Sequence, residues 1–154
     1  MITIAMSAVI DADTKRVWRA LTEPGELVTW DEQLVAPVEA PTEYPRSGQH
    51  VRWRYRLGSV QLVLHDRPQA VEPCKRLRSL LSLGSMRFDQ TYTLLQEPED
   101  DPDVPRTRLG LKIVASNSVP VIGSIVDRFE VRRLATERID TTLRAISQWC
   151  ESSP

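Results

Sequence analysis

The sequence has 154 residues, enough for one domain with its own hydrophobic core, and we expect a single domain over residues 1–154. Its apolar fraction of 41% and charged fraction of 27% are typical of a soluble globular protein, and a formal net charge of −1 provides no overall field that would attract nucleic acid. No stretch approaches the roughly 20 apolar residues that span a bilayer, and the pattern of a signal peptide is absent. We therefore expect a cytoplasmic protein with two buried free thiols, Cys74 and Cys150.

The first 31 residues predict one strand followed by two short helices. From Ile2 to Ile10 the larger apolar side chains occupy every second position, which is typical of a half-buried strand. Asp13 or Thr14 can cap the first helix, and Pro24 suits the first turn of the second, which we expect to end near Trp30.

Between residues 33 and 115 the pattern changes to strands that are joined mostly by tight turns. Pro37 restricts a weak strand over 33–39 to an edge of the sheet. Gly58-Ser59 and Gly84-Ser85 are two-residue turn signals between alternating segments. The other predicted strands cover residues 51–57, 60–66 with an extension to 71, 76–83, 86–95 and 106–115. Residues 97–105 carry five acids and three prolines, and they predict a mobile loop.

The last quarter of the chain, Ile125 to Cys150, has a long uninterrupted helical pattern. Apolar residues such as Ile139 and Leu143 recur at three- and four-residue steps on one side, and charged residues fill the other. The tight turns upstream imply an antiparallel meander whose apolar face needs a cover. We therefore predict an α+β fold in which a curved antiparallel sheet of six or seven strands wraps around this helix, with space for a ligand between them.

Three stretches of the sequence resemble the SRPBCC superfamily, the START-related lipid-transfer and polyketide cyclase-dehydrase group. The first is IDADTKRVWRALTEPGELVTWD over residues 10–31, the second is the run of strands, and the third is VIGSIVDRFEVRRLATERIDTTLRAI over residues 121–146. The resemblance spans nearly the whole chain and implies a helix-grip fold. It does not select one activity, because the group includes cyclases, aromatases, lipid and hormone binders, hydroxylase domains and interaction modules.

Alternation along the strands predicts which side chains face the helix and line the space beside it. Tyr55, Gln90 and Tyr92 are polar members of this inner face, and a buried phenol or amide needs a hydrogen-bond partner, either in the protein or in a ligand. Trp53 and Phe88 offer flat apolar surface to a ring system. Ordinary core packing is the alternative interpretation. The candidate ligand-binding residues are Trp53, Tyr55, Leu64, Phe88, Gln90, Tyr92, Leu111 and, from the helix, Phe129.

We interpret the protein first as a binder of a small, mostly hydrophobic ligand, such as a lipid or an aromatic, polyketide-like molecule. The alternative is an enzyme that resembles polyketide cyclases and aromatases, in which the cavity folds a polyketone while Tyr55, Tyr92 and Gln90 stabilise the enolate oxygen. Asp31 lies at the predicted cavity mouth, where it acts as a proton acceptor or, as we expect, caps a turn or pairs with an arginine. An ionisable pair facing the cavity would favour the enzyme, and the sequence identifies none.

Standard catalytic and cofactor signatures are absent from the sequence. The three Gly-Ser pairs do not lie in GxSxG, and neither GxGxxG nor a phosphate-binding loop occurs. His50 and His65 have no companion at metal-ligand spacing, and we expect His65 on the outer surface. We therefore expect no metal and no nucleotide cofactor, and the sequence identifies no catalytic residue.

The outer face of the predicted sheet is rich in arginine, and Asp89 is the one acid that alternates to the same side. A solvated face is the simpler interpretation. The other is an interaction module whose outer face docks an anionic partner, with nucleic acid disfavoured because no aromatic residues interleave with the arginines. We expect a monomer. The arginines that define this outer arginine face are Arg52, Arg54, Arg56, Arg76, Arg78 and Arg87.

Overall fold

The computed structural model describes residues 1–98, 101, 103–115 and 128–152, with side chains in the last range except at 128–131 and 134. None of the helices in these ranges is long and apolar enough to cross a membrane. The elements are β1 (Ile2–Ile10), α1 (Thr14–Thr22), α2 (Pro24–Trp30), β2 (Leu34–Pro37), β3 (Val51–Leu57), β4 (Val60–Glu72), β5 (Arg76–Leu83), β6 (Met86–Gln96), β7 (Thr107–Ala115) and α3 (Arg128–Ser152).

The strands form one seven-stranded antiparallel sheet in the order β1-β7-β6-β5-β4-β3-β2. Short connections place β3 to β6 beside one another in sequence order, whereas β1 pairs with β7 along its whole length. At the β3–β4 and β5–β6 turns, Gly58 and Gly84 have φ angles of 62° and 61°, a conformation that glycine adopts readily. The predicted α+β helix-grip architecture is confirmed, with seven strands in the sheet.

Two strands show how the prolines were accommodated. β4 continues to Glu72, as the predicted extension required, and its register shifts between Pro68 and Ala70. The missing N–H of Pro68 therefore falls at an irregularity of the ladder. β2 is only four residues long, contains Pro37 and lies at the edge of the sheet beside β3. In the predicted loop 97–105, positions 99, 100 and 102 lie outside the described residues.

Side chains of the short helices hold α1, α2 and α3 together. Asp13 caps α1 as predicted, because its Oδ1 accepts a 2.7 Å hydrogen bond from the backbone N–H of Arg16. Trp30 donates from Nε1 to a backbone carbonyl of α1 over 2.8 Å. Glu26 of α2 accepts hydrogen bonds from Trp149 of α3 at 2.7 Å and from Arg16 of α1 at 2.8 Å. The two short helices thus lie against the C-terminal part of α3.

Helix α3 packs on the inner face of the sheet. Ile139 and Ile146 are fully buried and belong to the same core as Leu109 and Leu111 of β7. The helix ends at Ser152, slightly beyond the predicted end, and residues 125–127 of the predicted helix lie outside the described residues. The core thus forms where the C-terminal half of α3 crosses the strands.

Candidate ligand-binding site

The inner face of the sheet is sealed at one end and partly covered at the other. On β6, Tyr92 is 6% exposed, whereas Gln90 and Phe88, nearer the β5–β6 turn, are half-buried. On β7, Leu109 is fully buried, whereas Ile113, which pairs with Gln90, is half-buried. Burial also falls toward the turn that joins β3 and β4. The inner face is therefore less completely covered at the end of the sheet that carries the β3–β4 and β5–β6 turns, although Leu83 at that end is 6% exposed.

The predicted ligand-binding residues whose side chains are described all lie on this inner face. Trp53 pairs with Leu64 across β3 and β4, and Tyr92 pairs with Leu111 across β6 and β7. Trp53, Tyr92 and Leu111 are buried in the core, and the half-buried members are Tyr55, Leu64, Phe88 and Gln90. The side chain of Phe129 is outside the described residues.

An ion pair crosses the interior between α2 and α3. Both carboxylate oxygens of Asp31, at the C-cap of α2, accept hydrogen bonds of 3.0 Å from Nη2 of Arg138 in α3. Asp31 Oδ1 also accepts from the backbone N–H of Gln33 at 3.0 Å, and the Tyr55 hydroxyl donates to Gln33 Oε1 at 2.7 Å. Burial is the largest effect on the Tyr55 phenol and raises its pKa, and the positive charge of Arg138 acts in the opposite direction. We call Asp31 and Arg138 the inner salt bridge.

Sequence reasoning anticipated one half of the inner salt bridge. Asp31 both caps a turn and pairs with an arginine, as we expected. Arg138 was missed, although it is three residues after Ala135 and four before Thr142, so helical spacing puts it on the flank of the buried stripe. An arginine at such a position is a signal that a buried or half-buried acid lies nearby.

Tyr92 and Gln90 are interior polar groups without a hydrogen-bond partner among the described residues. Burial raises the pKa of the Tyr92 phenol, with a further increase from the Asp31 carboxylate and an opposing effect of Arg138. The phenol is therefore within electrostatic reach of the inner salt bridge. Among described side chains, Asp66 Oδ1 is the sealed polar atom that lacks a partner. The Tyr92 hydroxyl is not sealed in this way, so it borders open space.

A second polar cluster surrounds Asp66 on β4. Its Oδ2 accepts hydrogen bonds from the Tyr44 hydroxyl at 2.6 Å and from Trp53 Nε1 at 3.2 Å, and the rings of Tyr44 and Trp53 meet edge to face at 5.5 Å. Burial raises the pKa of the Asp66 carboxyl, against the effects of the hydrogen bonds from Tyr44 and Trp53. The cluster joins the loop that carries Tyr44 to the inner face, and nothing in the strand pattern indicated this contact.

The two histidines meet on the outer side of β3 and β4. His50 Nε2 lies 2.8 Å from His65 Nδ1, and the rings stack with centroids 5.1 Å apart. Burial lowers the pKa of His50, and the positive charge of Arg67 lowers it further. Pairing across two strands brought them together, which spacing along the chain did not reveal. Within the described residues, no group of three or more His, Cys, Asp or Glu side chains is arranged to hold a metal ion.

Ion pairs neutralise part of the outer arginine face. Arg78 donates to both carboxylate oxygens of Asp89 at 3.0 and 2.8 Å, and Arg52 pairs with Glu39. No ion pair with another described residue is found for Arg54, Arg56 or Arg87. The positive charge of this face is therefore concentrated near the β3–β4 turn and on β6.

Two surface grooves lie outside the space between the sheet and α3. One, of about 200 Å³, runs between β1 and α3 and is lined by Met6, Ala8 and Leu143 among others. The other, of about 730 Å³, lies where α1 meets the end of α3, beside Lys15 and Glu151. Both are open at the surface and mix charged with apolar walls, so neither resembles the enclosed apolar site that the fold suggests.

Comparisons with known proteins agree with this fold. No family model and no curated protein matches the chain. Among solved structures, a START superfamily protein from Mycobacterium smegmatis is 12% identical, with a TM-score of 0.73 over 99% of both chains. Protein CV1439 from Chromobacterium violaceum is 18% identical, with a TM-score of 0.70 over 97% of this chain and 96% of that one. DynU16, from the dynemicin biosynthetic locus, is 18% identical with a TM-score of 0.68, over 97% of this chain and 47% of that chain.

These similarities establish the fold that the sequence resemblance implied. The chain has a helix-grip fold, which is similar to that of the START superfamily protein. Identities of this size carry no residue roles, so the function has to be argued from the inner face itself.

Proposed function

We propose that the protein binds a small, mostly hydrophobic ligand between the inner face of the sheet and helix α3. The supporting observation is that Phe88, Gln90 and Ile113 lie on the inner face of the sheet and yet remain half-buried. In a closed core these side chains would be sealed, because interiors pack with few voids. Apolar side chains with a few polar groups are the usual lining of a small-molecule site. The ligand contacts would come from the candidate residues Tyr55, Leu64, Phe88, Gln90, Tyr92 and Phe129, with Trp53 and Leu111 as their support.

An amide chemical-shift titration tests this proposal. Fatty acids, sterols, flavonoids and aromatic polyketides are added separately to the labelled protein. Shifts clustered on Tyr55, Phe88, Gln90 and the inner side of α3 would support an interior site. Shifts that are absent, or that are confined to the outer arginine face, would contradict it.

Leu81 and Leu80 provide a matched pair of variants for the same titration. Leu81 pairs with Phe88 on the inner face and is half-buried, whereas Leu80 pairs with Asp89 on the outer face and is exposed. Leu81→Trp should fill interior space and weaken the binding of every ligand. Leu80→Trp adds the same group to the other side of the sheet and should leave affinity unchanged. Equal effects of the two variants would place the binding site elsewhere.

A cyclase- or aromatase-like enzyme remains the second candidate. Asp66, whose buried carboxyl has a raised pKa, and the inner salt bridge provide interior ionisable groups, of which the sequence alone identified only Asp31. The similarity to a protein from a biosynthetic locus makes polyketide-like substrates the first to test. Incubation with a poly-β-keto thioester should then change the pattern of cyclised products seen by mass spectrometry. An unchanged pattern with native protein would remove this candidate.

An interaction module is the third candidate, carried by the unpaired charges of Arg54, Arg56 and Arg87. Docking of an anionic partner should weaken steeply as salt is added. It should be lost in the Arg54→Gln/Arg56→Gln double variant. Lys15→Gln, which removes one exposed charge outside this face, should leave docking intact. We expect the protein to act as a cytoplasmic monomer.

The two cysteines differ in burial. Both are free, as expected, but Cys74 is half-buried rather than buried, because it lies in the β4–β5 corner with a φ of 62°.

A further inference from the structure

We propose that the ligand carries a neutral carbonyl oxygen, and that the Tyr92 hydroxyl and the Arg138 guanidinium bind this oxygen together. This inference rests on the proposed function, since it names the chemistry of a ligand held on the inner face. Tyr92 comes from the middle of β6 and Arg138 from α3. The two donors therefore approach the interior space from the sheet and from the helix that cover it.

We call the Tyr92 hydroxyl and the Arg138 guanidinium together the oxygen anchor, and the hydroxyl is its first part. The residue is 6% exposed, and its hydroxyl has no hydrogen-bond partner among the described residues. A buried phenol without a partner costs about 1–3 kcal/mol of desolvation, so such groups are normally satisfied. The hydroxyl is not among the fully enclosed atoms, so it keeps some contact with open space. A ligand oxygen would supply the missing partner.

The Arg138 guanidinium is the second part. The described hydrogen bonds of its side chain are those from Nη2 to Asp31. A guanidinium carries N–H donors on all three nitrogens, so these contacts leave donor capacity unused. The side chain is 33% exposed although it lies in the interior half of the fold. Part of the side chain is therefore accessible.

The inner salt bridge determines which kind of oxygen suits the anchor. The Asp31 carboxylate is 8% exposed and already neutralises Arg138. A ligand carboxylate would bring a second negative charge beside Asp31, and an unpaired interior charge is strongly disfavoured. A carbonyl oxygen accepts two hydrogen bonds without adding charge. Apolar ligands without an oxygen would leave the Tyr92 hydroxyl as unsatisfied as before.

Three probes of nearly the same shape separate these cases. They are 2-acetylnaphthalene, which has a ketone, 2-isopropenylnaphthalene, which has a CH2 group in place of the ketone oxygen, and 2-naphthoate, which is a carboxylate. Affinities are measured by amide shifts with the wild-type protein and with Tyr92→Phe. The matched control is Tyr44→Phe, which removes a phenol hydroxyl that already has a protein partner, Asp66.

We expect the wild-type protein to bind the ketone about tenfold more tightly than the isopropenyl compound, and more tightly than the carboxylate. Tyr92→Phe should abolish the preference for the ketone over the isopropenyl compound, while Tyr44→Phe should retain it. The anchor would be overturned if the ketone and the isopropenyl compound bound with equal affinity, or if the carboxylate bound most tightly. In either case, binding of a neutral probe on the inner face would still support the proposed function. If no probe binds on the inner face, both proposals fail.

Infrared spectroscopy gives a reading that does not depend on a variant. The carbonyl stretch of carbon-13-labelled 2-acetylnaphthalene should move to lower frequency on binding, since two donors lengthen the C=O bond. The shift should be smaller in Tyr92→Phe. A bound carbonyl that absorbs at the frequency found in an aprotic solvent would show that no donor touches it, and the anchor would be wrong.

Discussion

The carboxylate of Asp31 is hydrogen-bonded through both oxygens to Nη2 of Arg138, a residue 107 positions later in the chain. The contact joins the end of α2 to α3 across the interior, on the side where the sheet ends in β2. It fixes the position of the helix relative to the strands that it covers. The inner salt bridge therefore has a structural role whether or not a ligand is bound.

Loss of Arg138 should strongly destabilise the fold. Arg138→Met keeps the length and much of the apolar surface of the side chain but leaves Asp31 buried without its counter-ion. We expect the free energy of unfolding to fall by about 3 kcal/mol in urea denaturation, and Asp31→Asn in the same chain should restore part of the loss. Arg144→Met is the control, because Arg144 pairs with Asp140 on the exposed side of α3 and should contribute less than about 1 kcal/mol. Equal losses in the two variants would mean that the inner pair contributes no more than a surface pair.

The same substitution at two buried tyrosines should have opposite consequences for stability. Tyr44→Phe removes a 2.6 Å hydrogen bond to Asp66, whose other carboxylate oxygen already lacks a partner, and should cost about 2 kcal/mol. Tyr92→Phe removes a hydroxyl that has no partner among the described residues and should stabilise the protein by about 1 kcal/mol. Urea denaturation of both variants measures the difference. A large loss in Tyr92→Phe would reveal a hydrogen bond in the unliganded protein and would weaken the oxygen anchor.

Asp66 should make the protein less stable as the pH rises. Burial raises the pKa of its carboxyl above the ordinary value of 3.8, so the folded state holds the proton more tightly than the unfolded state does. Its stabilising effect is complete below pH 3.8 and is lost as the pH rises through the folded-state pKa. As the pH rises from 3.8 through the folded-state pKa, the free energy of unfolding of Asp66→Asn should therefore increase relative to that of the wild-type protein. A constant difference with pH would show that Asp66 titrates alike in both states.

Two glycines should respond oppositely to alanine. Gly84 occupies the β5–β6 turn with a φ of 61°, which disfavours any side chain, and Gly84→Ala should cost about 1 kcal/mol. Gly25 lies in α2 with nothing within 4 Å of an added Cβ, and Gly25→Ala should stabilise the protein by up to about 1 kcal/mol. Thermal melts of the two variants should shift in opposite directions. A loss of stability in Gly25→Ala would point to a conformational need for glycine at the start of α2.

Local patterns in the sequence were enough to predict most of the architecture. The period-two alternation around Trp53 and Tyr92 correctly identified the inner face, because successive side chains in a strand must point to opposite sides. The turn signal at Gly84 located a hairpin, since few residues other than glycine adopt its conformation. The resemblance over residues 10–31 and 121–146 then selected the helix-grip fold among arrangements of the same elements.

The contacts that define the candidate site were decided by the tertiary structure. Periodicity states which way Tyr55 and Gln90 point, but the partner of each depends on how far α3 lies from the sheet. Arg138 reaches Asp31, and Tyr44 reaches Asp66, through packing of segments that are distant in the chain. The sequence by itself determined the elements, their faces and the fold, because those follow from steric rules that act between neighbouring residues. Only the tertiary structure decided which interior polar groups are satisfied and which remain open to a ligand, because that depends on how distant segments pack.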